Sequence, residues 1–560
     1  MSNSGQPIPT LIERFYHWEV TTPDAVFLRQ PKGNTWNELS YAQTGREARK
    51  MVTALQKIGL DKGDHIAIFS KNCAHWILAD LAIMMGGFVS VPLYASLPDD
   101  QLEEVIKLGD VKAIFLGKVD EWGNRAQAIP QDVTAIRFPH HEGNAKVTIG
   151  EDWDVLTSEN DPVANNYVPD LDDLWTIVFT SGTTGTPKGV MHSFRSPSMV
   201  MSDELKTGST GIGQLGHLNV LSFLPLNHVG ERIGLELPVI WQGGTMSFAE
   251  NLASFAANLQ DVQPNMFFAV PRLWNKMYLA VSAKIAPQRL RMLLKTPILG
   301  PWLKKKIRTG MGLRDVQLAA TGASITPAYI KDWYRMLGIH LVEAYGMTEL
   351  CGMISSGIDA ETPHDSVGRA IPFTEVRADS ETRELLLKTP YMMLGYYKSP
   401  DETAEVLIDG WMHSGDRGTV DDHGHIRVIG RLKDAFKTSK GKFVTPNPLE
   451  EFILQNDYVE QVCVAGLGLP QPIALLNLSE IGIAASDNDV EKSLRRTIQK
   501  LNESRARFEW VSTAVIQKET WSVENGRVTP TLKVKRPILD EQFGAQYLQW
   551  HESDRDVIWA

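Results

Sequence analysis

The ten residues Thr180-Ser181-Gly182-Thr183-Thr184-Gly185-Thr186-Pro187-Lys188-Gly189 follow directly on the apolar run LWTIVF. Small hydroxyl residues and glycines let backbone N–H groups converge on one point, and Lys188 adds a positive charge. The segment is therefore suited to gripping phosphate oxygens. It is not the nucleotide-triphosphatase loop, which requires Gly-Lys-Ser/Thr five residues after its first glycine; Pro187 stands five residues after Gly182. Other candidate clusters read as decoys. Gly211-Ile212-Gly213-Gln214-Leu215-Gly216 satisfies GxGxxG, but it precedes a strand instead of following one, the reverse of the dinucleotide context. It reads as a mobile glycine loop near the mouth of the site. His140-His141-Glu142 reads as a solvated loop without further metal ligands, and His423 and His425 read as exposed turn residues around Gly424. Cys73, Cys351 and Cys463 are too few and too dispersed for a disulfide framework or a metal site, which fits a reducing cytosol.

Four further patterns come in order along the chain. They are Gly322-Ala323-Ser324 with Tyr345-Gly346-Met347-Thr348-Glu349, Gly415-Asp416 within WMHSGDRG, Gly430-Arg431-Leu432-Lys433-Asp434 with Gly441, and Thr529-Pro530-Thr531-Leu532-Lys533. With the first loop, they resemble the motif set of the adenylate-forming superfamily of acyl-CoA synthetases, luciferases and peptide-synthetase adenylation domains. The resemblance covers essentially the whole chain. It implies ATP, Mg²⁺ and coenzyme A as cofactors and an acid activated as its acyl-adenylate. Thr180, Ser181, Gly182, Thr183, Thr184, Gly185 and Lys188 would hold phosphates, with Thr348 beside them. Glu349, aided by Thr184, would hold Mg²⁺, since hard cations select carboxylate oxygens. Gly322, Ala323, Ser324, Tyr345 and Gly346 would frame the adenine, where small residues permit close backbone approach. Asp416 would accept from the ribose hydroxyls, and Arg431 would reach the ribose or phosphates.

The resemblance places a catalytic lysine near the C-terminus. A carboxylate attacking a phosphate brings two anions together, so fixed positive charge is required. Lys533 is favoured; Lys535, two positions on, is the alternative and would face the other side of a strand. Catalytic roles are also expected for His228, against the bound carboxylate, and for Thr184. The forms LPLNHVGER around His228, VPRLW at 270–274 and TPTLKVKR at 529–536 are similar to long-chain fatty acyl-CoA synthetases. The resemblance further implies a hinge at Lys433. Lys533 would enter the site for adenylation, and the segment around Gly441 would replace it for thioester formation. Another acid, a carrier-protein thiol as acceptor, or a non-catalytic nucleotide-binding relative remain as alternatives.

These residues must be positioned by a large scaffold. A chain of 560 residues exceeds one core. Apolar runs HIAIFS (65–70), FVSVPLY (88–94), VKAIFLG (111–117), LWTIVFT (174–180) and HLNVLSFLPL (217–226) alternate with helical patterns such as 41–58 and 99–108. The fold class is therefore α/β: a large N-terminal domain of layered α/β subdomains, residues 1–430, and a small mobile C-terminal α+β domain, residues 431–560. Residues 417–430 read as two strands around a turn, and Asn447 as the cap of a helix over 448–455. The run 76–95 has membrane-span length, but the Gly86-Gly87 pair divides it, so it reads as a buried helix and strand. The net charge of −11 argues against nucleic acid as a partner. No secretory signal is read at MSNSGQPIPTLIERFYHW, so a cytoplasmic location is expected. Residues 289–308 combine seven basic side chains with Leu, Ile and Trp and could touch an anionic membrane, although Pro297 and Gly300-Pro301 interrupt a single helix. Nothing marks an oligomer interface or the acyl chain length.

Overall fold

A computed structural model describes residues 7–33, 35–180, 187–251, 253–359, 361–522, 525–529, 533–553 and 555–560. The β-branched runs become the centre of an eight-stranded sheet. Its order is Gly395–Tyr396, Lys188–Ser193, Leu174–Thr180, Val89–Leu93, His65–Phe69, Val111–Leu116, Thr134–Arg137 and Glu151–Asp152. From Leu174–Thr180 to Glu151–Asp152 the neighbours are parallel. Strands buried on both faces read as continuous apolar runs, which is why they were legible. The helix Ala74–Gly86, buried on nearly every side, turns at left-handed Gly87 (φ 73°) into the buried strand Val89–Leu93. The run 76–95 is thus the helix–strand pair expected. No described helix is long and apolar enough to cross a membrane.

A second sheet, Met266–Ala269, Leu318–Thr321, Leu341–Met347, Gly352–Ser356 and Arg369–Ala370, is parallel across its first three strands. A third, carrying Trp411–Val420 and Ile426–Arg431, is antiparallel throughout. Its last two strands flank the turn expected within 417–430. The strand expected over 217–226 runs only over Asn219–Ser222. Beyond it, Asn72 takes over the backbone bonding: its amide donates to the Leu224 carbonyl (2.6 Å) and its oxygen accepts from Leu226 N–H (3.1 Å).

The smaller C-terminal part has its own apolar core, from Phe436 to Val557. It is built on the sheet Val459–Ala465, Ile473–Leu478, Ala514–Ile516 and Val557–Trp559, with helices Asp487–Glu503 and Arg536–His551. The fold is mixed α/β, with a large N-terminal and a smaller C-terminal domain. Asn447 does not cap its helix; it is the first helical residue of Asn447–Ile453. Its amide instead packs at Gly430, where a Cβ would come within 3.1 Å of it.

Three loop readings are corrected. The 211–216 segment is pinned, because the Glu204 carboxylate accepts from Ser209 Oγ, Thr210 N–H and Gly213 N–H at 2.9–3.0 Å. His425 is buried, its Nδ1 3.3 Å from Asp421 Oδ2, while His423 stays exposed. His141 turns inward toward His75, 6.1 Å between ring centres, leaving His140 and Glu142 in solvent. Burial and the charge of Lys118 push the His141 imidazole down to about 4. Among the described residues no group of three or more His, Cys, Asp or Glu side chains could hold a metal.

Candidate active site

Strand Leu174–Thr180 and strand Lys188–Ser193 pair antiparallel and present the ends of the hydroxyl-rich loop, with Thr180 opposite Lys188. Thr180 Oγ1 donates to the Lys188 carbonyl at 3.4 Å. Ser181, Gly182, Thr183, Thr184 and Gly185 lie outside the described residues. The Lys188 ammonium sits 5.2 Å from the centre of the Tyr396 ring. The Tyr396 hydroxyl donates to Glu349 Oε1 at 2.9 Å. Burial and the adjacent Glu349 carboxylate raise the Tyr396 phenol, so it stays a donor. Lysine, tyrosine and glutamate from three distant segments therefore form one polar row beside the loop. His192, two residues along the same strand face as Val190, donates from Nε2 to the Thr348 carbonyl at 2.7 Å. Burial pushes its imidazole down to about 4, which keeps it neutral. Neither Tyr396 nor His192 was singled out in the sequence. Strand alternation from Lys188 would have found His192, whereas Tyr396 arrives by a strand pairing some 200 residues away in sequence.

The Gly322-Ala323-Ser324 turn follows strand Leu318–Thr321. A Cβ at Gly322 would lie 2.9 Å from the Ala344 carbonyl oxygen, so only glycine lets the turn close on the neighbouring strand. Ala323 holds a left-handed φ of 66°, a strained state for a residue with a Cβ and one concentrated at ligand sites. At Gly346 a Cβ would fall 1.7 Å from the Gly352 carbonyl oxygen. The preceding Tyr345 donates to Asp416 Oδ2 at 2.6 Å.

Asp416 and Arg431 lie opposite each other in the strand pair Trp411–Val420 and Ile426–Arg431. Arg431 Nε approaches Asp416 Oδ1 at 2.9 Å, and its Nη1 donates to the Ser414 carbonyl at 3.0 Å. Each carboxylate oxygen of Asp416 thus has one partner and retains capacity for another donor. Lys433 is exposed in the segment that leaves this strand pair. Gly441, with φ 75°, sits at the exposed tip of the hairpin Phe436–Lys437 and Phe443–Val444. Its N–H donates to the Thr438 carbonyl within that hairpin (2.9 Å), so it does not join the other site residues in this arrangement.

Lys533 pairs with Thr529: its N–H donates to Thr529 Oγ1 (3.0 Å) and its carbonyl accepts from Thr529 N–H (2.7 Å). Three residues on, Arg536 anchors this segment to the C-terminal domain, through Glu450 Oε1 at 2.5 Å, Cys463 Sγ at 3.2 Å and the Val464 carbonyl. Lys533 is exposed as a residue, while protein packs around its ammonium. Burial there and repulsion from Arg431 lower its ammonium to about 8, against the pull of Asp416 and Asp434. His228 faces the same charge. Burial, and then Lys533, push its imidazole down to about 4. His228 caps the short helix Val229–Glu231, its Nδ1 accepting from Gly230 N–H at 3.0 Å. The backbone of Lys535 is held too, its N–H donating to the Arg527 carbonyl at 2.8 Å. Lys533 of the smaller domain thus lies within electrostatic reach of His228, Arg431 and Asp416. The docking is held elsewhere by Arg272 Nη2 to Glu460 Oε1 (2.6 Å) and Tyr329 Oη to the Leu454 carbonyl (3.1 Å).

A family model described as AMP-binding enzyme matches residues 15–397, and one described as AMP-binding enzyme C-terminal domain matches residues 433–547. The chain belongs to the AMP-binding enzyme family. The resemblance carried by the five motifs is therefore correct. Relatives of this AMP-binding enzyme include a long-chain-fatty-acid–CoA ligase of Mycobacterium bovis, 23% identical over 582 residues that cover 95% of each chain. Long-chain-fatty-acid–CoA ligase 6 of Mus musculus is 28% identical, covering 91% of this chain and 82% of the relative. Among solved structures, the adenylation domain of a carboxylic acid reductase from Segniliparus rugosus, in complex with AMP and a co-purified carboxylic acid, superposes with a TM-score of 0.81. It is 21% identical and covers 97% of this chain and 95% of that one.

Proposed function

We propose that this enzyme joins a fatty acid to coenzyme A at the expense of ATP, in two steps at one site. The acid's carboxylate oxygen attacks the α-phosphorus of ATP and pyrophosphate leaves, giving the acyl-adenylate. The coenzyme A sulfur then attacks the acyl carbon, its proton is lost, and AMP leaves. The observation that carries this reading is the convergence of Lys533 with His228, Arg431 and Asp416. In this reading Lys533 and Arg431 would supply two cations where two anions must meet, and the neutral imidazole of His228 would face them without adding charge. Fixed donors of this kind stabilise the developing charge more than water does, because they need no reorganisation. At neutral pH a lysine lowered to about 8 is still mostly charged. Tyr345 and Asp416 are suited to the nucleoside, Thr180 and Lys188 to the phosphates.

Glu349 fits Mg²⁺: it is a half-buried carboxylate, oriented by Tyr396, beside the phosphate loop. One carboxylate with substrate phosphates and water is a usual set for this ion. Bound there, the ion would neutralise phosphate charge.

Fatty acid is favoured as the acid because relatives matching over nearly the whole chain are named long-chain-fatty-acid–CoA ligases. In this reading Lys433 is the hinge residue about which the C-terminal domain rotates, withdrawing Lys533 and bringing the Gly441 hairpin inward for the second step. The test is AMP release from ATP and coenzyme A across acids from acetate to long-chain fatty acids and aryl acids. A maximum among fatty acids supports the reading. Acid-dependent pyrophosphate exchange without thioester would assign another acceptor thiol, and silence in both would defeat the enzymatic reading.

A further inference from the structure

Although the chain carries a net charge of −11, residues 262–314 contain eleven lysines and arginines and no aspartate or glutamate. Seven of these cations lie on the helical hairpin formed by Pro287–Leu294 and Leu299–Gly310. Gly300 closes the hairpin, since a Cβ there would lie 2.4 Å from the Leu294 carbonyl oxygen. Leu290 and Leu303 are buried, and Leu293, Leu294 and Ile307 pack on the same core. Arg308 donates to the carbonyls of Leu313, Arg314 and Val316 and fixes the base.

The outer face has no such explanation. Ile298 is 88% exposed, Met292 66%, Trp302 56% and Leu299 41%, four large apolar side chains within eleven residues. Arg289, Arg291, Lys295, Lys305 and Lys306 surround them in solvent, and none forms an ion pair with a described residue. Lys306 leans over the Trp302 ring at 4.8 Å. An apolar tip ringed by unpaired cations is costly to leave in water and matches a surface that is apolar beneath and anionic on top.

We propose that this hairpin docks on an anionic lipid bilayer, with Ile298 and Trp302 entering the headgroup boundary and the lysines and arginines engaging lipid phosphates. Charge complementarity selects this occupant over a symmetric pairing with the same hairpin of a second copy, where like charges would repel. The inference stands independently of the reaction assigned above.

Flotation of the full chain with phosphatidylcholine vesicles, with and without phosphatidylglycerol, tests it. Binding should require phosphatidylglycerol and reverse in high salt. Lys295→Gln, Lys305→Gln and Lys306→Gln should each weaken it roughly fivefold. Ile298→Ser should weaken it without altering thermal unfolding. Brominated lipid should quench tryptophan fluorescence in the wild type and markedly less in Trp302→Phe. Equal binding to neutral vesicles, no binding to either, or variants that bind as wild type would overturn the proposal. So would a concentration-dependent dimer that Ile298→Ser abolishes in a protein indifferent to vesicles.

Discussion

Removing the Lys533 ammonium should separate the two half-reactions. In the proposed first step the attacking carboxylate and the α-phosphate must approach while both are negative, and Lys533 and Arg431 would supply the positive charge between them. The second joins a thiol to an already neutral acyl carbon and has no such need at this position. Loss of one preorganised donor in a water-poor site typically costs about 3–4 kcal/mol, or ~10²–10³ in rate. Lys533→Ala is therefore expected to slow acid-dependent pyrophosphate exchange by that factor while conversion of supplied acyl-adenylate to thioester changes less than about threefold. The pH profile gives an independent check. Lys533 works as the charged form, and burial and Arg431 lower it to about 8. The adenylation kcat/KM should be flat below that value and fall roughly tenfold per pH unit above it. Lys533→Arg should move the fall to higher pH, because a guanidinium stays charged. Equal loss of both half-reactions in Lys533→Ala would refute the account. A selective loss in Lys535→Ala would show that the other lysine carries the charge.

Arg272→Ala and Glu460→Ala each remove the 2.6 Å ion pair that docks the C-terminal domain. A partly exposed pair contributes up to ~1 kcal/mol, so adenylation should slow a few-fold while the thioester step is spared, and the double charge reversal should restore it. Arg232 and Asp80, both buried and 2.6 Å apart, lie beneath the site, with the guanidinium 4.3 Å from the Trp175 ring centre. Arg232→Met should cost about 3–5 kcal/mol in denaturant unfolding, and adding Asp80→Asn should recover much of it. Burial raises the Glu231 carboxyl from 4.5 to about 8, so the folded chain holds a proton that the unfolded chain releases. Stability should therefore fall as pH rises from 4.5 toward 8, on the order of 1 kcal/mol per unit from this group, and Glu231→Gln should flatten that slope. A slope unchanged in the variant would assign the proton elsewhere.

What the sequence made legible follows from how local each signal was. Parallel strands buried on both faces announced themselves as apolar runs, and the motif order identified the chemistry, because each motif is a short contiguous run readable without its distant partners. Gly346 must be glycine for a reason two strands deep, yet it is readable as part of YGMTE. Tyr396 was not readable, since its role depends on strand Gly395–Tyr396 pairing with Lys188–Ser193. The pinned 211–216 loop was misread for the same reason: Glu204, not the glycines, decides its rigidity. His425 was misread because the bridge to Arg369, distant in sequence, adds to the local Asp421 turn in covering it.

The spacing of Lys533 and Arg536 ties reactivity to domain position. Arg536 is locked to Glu450 and the Val464 carbonyl of the C-terminal domain, while Lys533 lies within electrostatic reach of the larger domain's His228 and Asp416. Only Val534, bridged to Val528, and Lys535 separate anchor from charge, so Lys533 has little freedom to follow those groups if the C-terminal domain moves. A few ångströms of domain rotation would withdraw the ammonium and relieve its repulsion by Arg431. The same displacement would take away the cation that depresses His228. The protonation of His228 is therefore a reporter of domain position: its imidazole, held near 4 with Lys533 in place, should titrate higher when the docking contacts of Arg272 and Glu460 are removed. Histidine resonances followed by NMR in the Glu460→Ala protein would show this rise, and an unmoved His228 would mean that its own segment, not the domain, positions the lysine.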